Sequence, residues 1–159
     1  MFDTIDLDTD SMTAFHDAVE AVASEDRDGW TGAVVSERLV GLLEARERLD
    51  AAITRLAGRW DRERCWEADA ALSGTVWLAR RAPIPRHKAR RLIANGRLTV
   101  DHEVVDEALA AGDVTVEHVE VVTRVAGNHR KDLVTDHIGV LVDSAAGLRV
   151  DDYATVTRR

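Results

Sequence analysis

Between Thr31 and Cys65 the apolar residues fall at Val35, Leu39, Leu42, Leu49, Ile53, Leu56 and Trp60, with Arg46 in the one position left over, so the spacing runs 4, 3, 4, 3, 4, 3, 4. That is a heptad seam held for more than three repeats in a segment without proline. It predicts a helix about 50 Å long that lies against another helix through a narrow stripe. Two partners suit the stripe: an antiparallel helix of the same domain, or a second copy of the chain in a homodimer. Arg46 within the seam needs a carboxylate or a snorkelled route to water.

The pattern differs on either side. Residues 1–10 carry four Asp and no base and read as a disordered acidic leader. Ser11 or Thr13 then caps a short helix with an apolar face of Met12, Phe15, Val19 and Val22, ending by Gly29. After Trp66 the breakers Ser73, Pro83, Pro85, Gly96, Thr99, Gly112, Thr115, Gly127 and Gly147 come often. They predict helices near 74–81, 85–95, 100–111, 115–126 and 129–145, and another from Asp151. Pro85 suits a first helical position, Gly112 a C-terminal cap and Thr115 an N-terminal cap. Val116–Arg124 and Val150–Arg158 share four identities in nine at an offset of 34, each with a glycine upstream. Residues 11–159 therefore read as one all-α domain, with the long heptad-patterned helix packed on an array of short ones. Because the last expected helix is cut short at Arg159, the domain is expected to be the N-terminal part of a longer protein.

Composition supports the fold class. Ten Gly and two Pro in 159 residues are too few turn formers for a sandwich or barrel. The single Cys65 forms no internal disulfide, the acidic segment after Met1 does not read as a basic and then apolar export signal, and the apolar runs are far too short for a bilayer, so a cytoplasmic protein without membrane contact is expected.

The net charge of −8 argues against general affinity for nucleic acid, until it is divided. From Ala70 to Val100 there is no Asp or Glu, yet there are seven bases: Arg80, Arg81, Arg86, Lys88, Arg90, Arg91 and Arg97. The other 128 residues, with 14 bases and 29 acids, stand at −15. On a helical wheel Ala89, Leu92 and Ile93 share one sector of the helix from Arg86, with Arg86, Arg90 and Arg97 grouped at its flank. Preceded by a short helix around Trp77 and an Ala-Pro-Ile-Pro turn, this has the outline of a helix-turn-helix with a basic second helix, and the seven bases are its candidate DNA-phosphate contacts. The competing use of the same charges is salt bridging to the acidic remainder or to an acidic protein surface.

Other chemistry finds little support. His102-Glu103-Val-Val-Asp106 has Asp where the zinc signature H-E-x-x-H needs its second His, and no C-x-x-C or recurrent His spacing occurs. Phosphate-loop, dinucleotide and nucleophile-elbow motifs are missing from the sequence. No catalytic residue, metal site or cofactor is expected in this chain.

The order of motifs resembles domain-of-unknown-function family 222, the 13E12 repeat family. The matching residues are Trp77-Leu78-Ala79, Ala89-Arg90-Arg91-Leu92, Leu98 followed by Val104, Glu107-Ala108-Leu109-Ala110-Ala111-Gly112, and Val114-Thr115-Val116-Glu117-His118-Val119. The similarity covers about residues 30–159 and is most specific from Ala108 to Val119. It implies a helical domain N-terminal to an HNH endonuclease domain in proteins of high-GC Gram-positive bacteria, with a nucleic-acid substrate and a divalent metal for the whole protein. The usual Pro after Leu98 is missing here. The HNH residues are missing too: the nearest set, Asn128, His129 and His137, falls on a predicted helix, where eight residues turn through about 800° and leave the two His off a common face. The expected function is a non-catalytic accessory domain of an HNH-nuclease-like protein that contacts DNA phosphates through the basic helix. The alternative is a protein-interaction or dimerisation module that does not bind nucleic acid.

Overall fold

The computed structural model describes residues 9–127 and 130–157. The described residues form nine α-helices and one 3₁₀ turn and contain no strand, so the fold is all-α. The contacts divide the chain into two units, residues 1–40 and 41–159. The acidic residues 1–8, the pair Asn128-His129 and Arg158-Arg159 lie outside the described residues.

In the first unit α1 (Thr9–Ala23) begins at the acidic segment rather than at Ser11. A turn with a left-handed Gly29 (φ 79°) leads into α2 (Gly32–Arg62), which crosses into the second unit. With 31 residues, α2 is the long helix expected from the heptad spacing.

Its packing is different from the expectation. In the second unit the side of α2 that is buried consists of Thr54, Ala57, Gly58 and Asp61. The stripe residues Leu42, Arg46, Leu49, Ile53 and Leu56 are exposed, and Trp60 is half-buried; Val35 and Leu39, in the first unit, are also exposed. The physical reason is steric. Gly58 meets Gly96 of α4 (Arg86–Asp101), and a Cβ on Gly96 would lie 2.8 Å from the Gly58 Cα and 2.8 Å from the Thr54 carbonyl. Two helices cross here backbone to backbone, closer than leucines at the contact would allow.

The same crossing explains why α4 does not stop at residue 95. Gly96 is a contact glycine within the helix, and α4 continues for another turn and a half, with the Thr99 hydroxyl donating to the Gly96 carbonyl at 2.8 Å. Pro85 takes the N-cap position, one residue earlier than expected.

Short helices complete the second unit: α3 (Gly74–Arg81), α5 (Glu103–Ala111) and α6 (Val116–Ala126) pack on α4, while α8 (Ile138–Ala146) packs on α5, α9 (Val150–Val156) on α6 and α8, and α7 (Lys131–Asp136) on α6 and α8. The buried core these helices share includes Leu98, Val105, Leu109, Val119, Val122 and Tyr153. Gly112 closes α5 in the left-handed region (φ 81°), as expected. The single helix expected over 129–145 is two: His137 adopts φ −118°, ψ 13°, ends α7 and starts α8, so that Val134 and Val142 both reach the core. The 3₁₀ turn at Cys65–Asp69, with left-handed residues Arg64 and Ala70 at its ends, was not legible from the sequence.

The two similar segments open at equivalent places, since Val116 and Val150 are each the first residue of a helix, and their fourth residues, Val119 and Tyr153, are both buried.

Candidate nucleic-acid interface

The seven bases of the stretch lie at the end of α3 and along α4, on either side of a four-residue turn. Along α4 the environment changes sharply. Ala89, Ile93, Asn95, Gly96, Leu98 and Thr99 are buried, whereas Arg86, His87, Lys88, Arg90 and Arg91, in the first turns, are exposed. The turn Ala82–Pro85 sets this boundary: Ala82 and Pro85 are extended, so α3 ends at Arg81 and α4 restarts at Arg86.

Three of the seven bases are taken up within the fold. Arg97 donates to Asp61 at 2.7 Å, and only 6% of the Asp61 side chain is exposed. Arg91 reaches Glu120 of α6 at 2.9 Å, a carboxylate it shares with Arg124 at 3.0 Å. Arg81 pairs with Asp69 at 3.2 Å and lies over the ring of Trp77. Trp77 itself donates to Asp69 at 2.6 Å and packs on Trp60 with ring centroids 5.0 Å apart. These three arginines hold α4 to α2, α4 to α6, and α3 to the 3₁₀ turn.

The other four, Arg80, Arg86, Lys88 and Arg90, make no ion pair among the described residues and are exposed. Three of them fall in the first turn and a half of α4, which has no acid in its first turn. Cations there oppose the helix dipole, whose positive end is at the N-terminus. Folding alone gives no reason for that placement, and an anion approaching the helix end would meet both the dipole and the side chains.

Other sequence candidates have structural roles. Asp106 accepts two hydrogen bonds of 2.7 Å from Arg55 of α2, the bidentate form, and this hydrogen bonding, helped by the carboxylate's charge, raises the Arg55 pKa above its ordinary value. His102 is the residue between α4 and α5. No group of three His, Cys, Asp or Glu able to hold a metal gathers among the described residues.

His118 is a residue whose role the sequence did not reveal. It is buried, its Nδ1 accepts from the Thr115 backbone N–H at 3.1 Å, and its Nε2 is 3.0 Å from the Leu148 carbonyl. Because Nδ1 accepts, Nε2 carries the proton and donates to Leu148. One imidazole thus caps α6, ties it to the segment before α9, and meets Tyr153 edge to face at 5.5 Å. Its position three residues after Thr115, where a capping box has Glu or Gln, was the available signal.

A cleft of about 720 Å³ separates α2 from the α5–α6 turn, lined by Glu47, Ala51, Arg55, Leu109, Val114 and Thr115 among others. Burial and the nearby Glu117 raise the Glu47 carboxyl above the usual carboxylate range, and none of the seven bases lines the cleft. No described helix is long and apolar enough to cross a membrane. No protein-family model, curated protein or solved structure matches the chain.

Proposed function

We propose that this chain is a helical, non-catalytic DNA-contact domain that grips duplex phosphates with Arg80, Arg86, Lys88 and Arg90. The observation that carries the reading is the set of exposed bases at the N-terminal end of α4, unpaired among the described residues, in a chain whose 128 residues outside the basic stretch hold 14 bases and 29 acids. The order α3, short turn, basic α4 fits a helix-turn-helix-like presentation, in which the first residues of the second helix meet the DNA. Contacts of this kind supply affinity and orientation and read no sequence. The resemblance to family 222 supports the same context: an accessory domain of a cytoplasmic HNH-endonuclease-like protein, with the divalent metal and the catalysis belonging to a separate domain.

The test is fluorescence anisotropy of a labelled duplex at rising salt. Each phosphate contact contributes about 0.9 to the slope of log K against log salt, so four contacts predict a slope near −3.6. Binding that does not change with salt, or no binding at low salt, contradicts the proposal.

A second reading is supported by the exposed stripe of α2: a protein-interaction module, with DNA contact absent. Salt-independent behaviour towards DNA together with stable self-association would favour it.

A further inference from the structure

Helix α2 has two sides in the second unit. At about 100° per residue, Thr54, Ala57, Gly58 and Asp61 occupy one sector, the one that meets α4. Leu42, Leu49 and Ile53 lie roughly 100° around the helix from it and are 39%, 38% and 40% exposed. A stripe that follows a 3.5-residue period, and not the 3.6 of a straight surface helix, keeps its seam facing a partner only when two helices wind around each other.

Arg46 selects the partner and its direction. It occupies a seam position, is 59% exposed, and lies 3.6 Å from Asp50 and 3.3 Å from Glu47 of its own helix. In a parallel, in-register pair the two Arg46 side chains would share a layer, with like charges opposed. Reversing the second helix about a two-fold axis between Glu47 and Arg48 gives a different set of layers. Leu42 then faces Ile53 of the second copy, Arg46 faces Leu49, and Arg46 comes within about 1.5 Å, measured along the axis, of Asp50 of the second copy on the same flank. Symmetry repeats each pair. That axis also lies at the middle of Gly32–Arg62, so the register overlays the two helices nearly end to end.

We propose that α2 is the seam of an antiparallel homodimer centred between Glu47 and Arg48, with reciprocal Arg46–Asp50 pairs closing over a Leu42–Ile53 layer. The occupant is a second copy because one stripe satisfies itself: its polar member finds an opposite charge and its apolar members find apolar ones. The proposal does not depend on DNA contact, and its tests are separate.

Sedimentation of the full chain over a concentration series should show a reversible monomer–dimer equilibrium. Arg46→Glu and Asp50→Arg should each weaken the dimer by about tenfold. An equimolar mixture of the two variants should restore association, because unlike charges then meet between chains while each chain still holds like charges at 46 and 50. Orientation is read in a Cys65→Ser background: Leu42→Cys mixed with Ile53→Cys should form a disulfide under mild oxidation. Leu42→Cys alone should not, since its two copies are about 16 Å apart along the axis. Circular dichroism confirms that each variant is folded. A monomer at every concentration overturns the proposal, as does a Leu42→Cys self-crosslink, which marks a parallel pair, or a variant mixture that associates no better than its components.

Discussion

The two ends of α4 differ in almost every physical respect. At the C-terminal end, Gly96 touches Gly58, Thr99 is buried, and Arg97 is matched to a carboxylate that is almost fully enclosed. At the N-terminal end, Arg86, Lys88 and Arg90 are exposed, unpaired among the described residues, and located where the helix dipole disfavours them. One helix therefore carries bases of two kinds. Those near the core hold the fold together, and those at the free end add nothing to it that the structure explains. The composition of a basic stretch does not distinguish the kinds; the carboxylates that reach it do.

The difference can be broken most severely at the crossing. Gly96→Val places a branched side chain against the backbone of α2, and the overpacking should cost about 3 kcal/mol, read as a lower urea midpoint with unchanged slope. An unchanged midpoint would mean that the two helices do not approach as described.

The buried side is sharpened by pH. Burial pushes the Tyr153 hydroxyl up to about 12 from an ordinary value of 10.0, and it is the only tyrosine of the chain, so its ultraviolet tyrosinate band reads it directly. The folded state holds this proton where the unfolded chain releases it, so stability should be intact below pH 10 and fall by about 2 kcal/mol as pH rises to 12. Tyr153→Phe should lose less stability over that interval. A tyrosinate midpoint near 10 in the folded protein would contradict the packing.

The smallest effect belongs to the free end. Arg86→Glu replaces a cation by an anion in the first turn of α4 and should stabilise the protein by about 0.3–1 kcal/mol, seen as a small rise in Tm. A fall in Tm would show that Arg86 has a structural partner after all.

The sequence was legible where local rules decide. The heptad spacing located α2 to within a few residues, and Gly112 and Thr115 marked the α5–α6 turn because a left-handed cap and an N-cap each have a residue signature. It was illegible where a residue serves a distant neighbour. Gly96 read as a helix stop because nothing local reveals that Gly58, 38 positions earlier, lies against it. For the same reason the seven bases read as one group: Asp61, Asp69 and Glu120, which divide them, lie outside the stretch. The stripe on α2 was visible as a pattern, while its burial depended on which side of the helix α4 would take.

The central claim is that the basic stretch is divided between structural and phosphate-contacting residues, and a comparison of two multiple variants tests it directly. One neutralises Arg80, Arg86, Lys88 and Arg90 to Gln; the other neutralises Arg81, Arg91 and Arg97. Duplex binding is measured against salt for both, with thermal unfolding alongside. The account predicts that the first variant stays folded and loses most of the salt slope, close to 0.9 per residue removed, while the second loses stability and keeps the slope of whatever fraction remains folded. Equal slopes for the two variants, or a slope lost only with Arg81, Arg91 and Arg97, would contradict it.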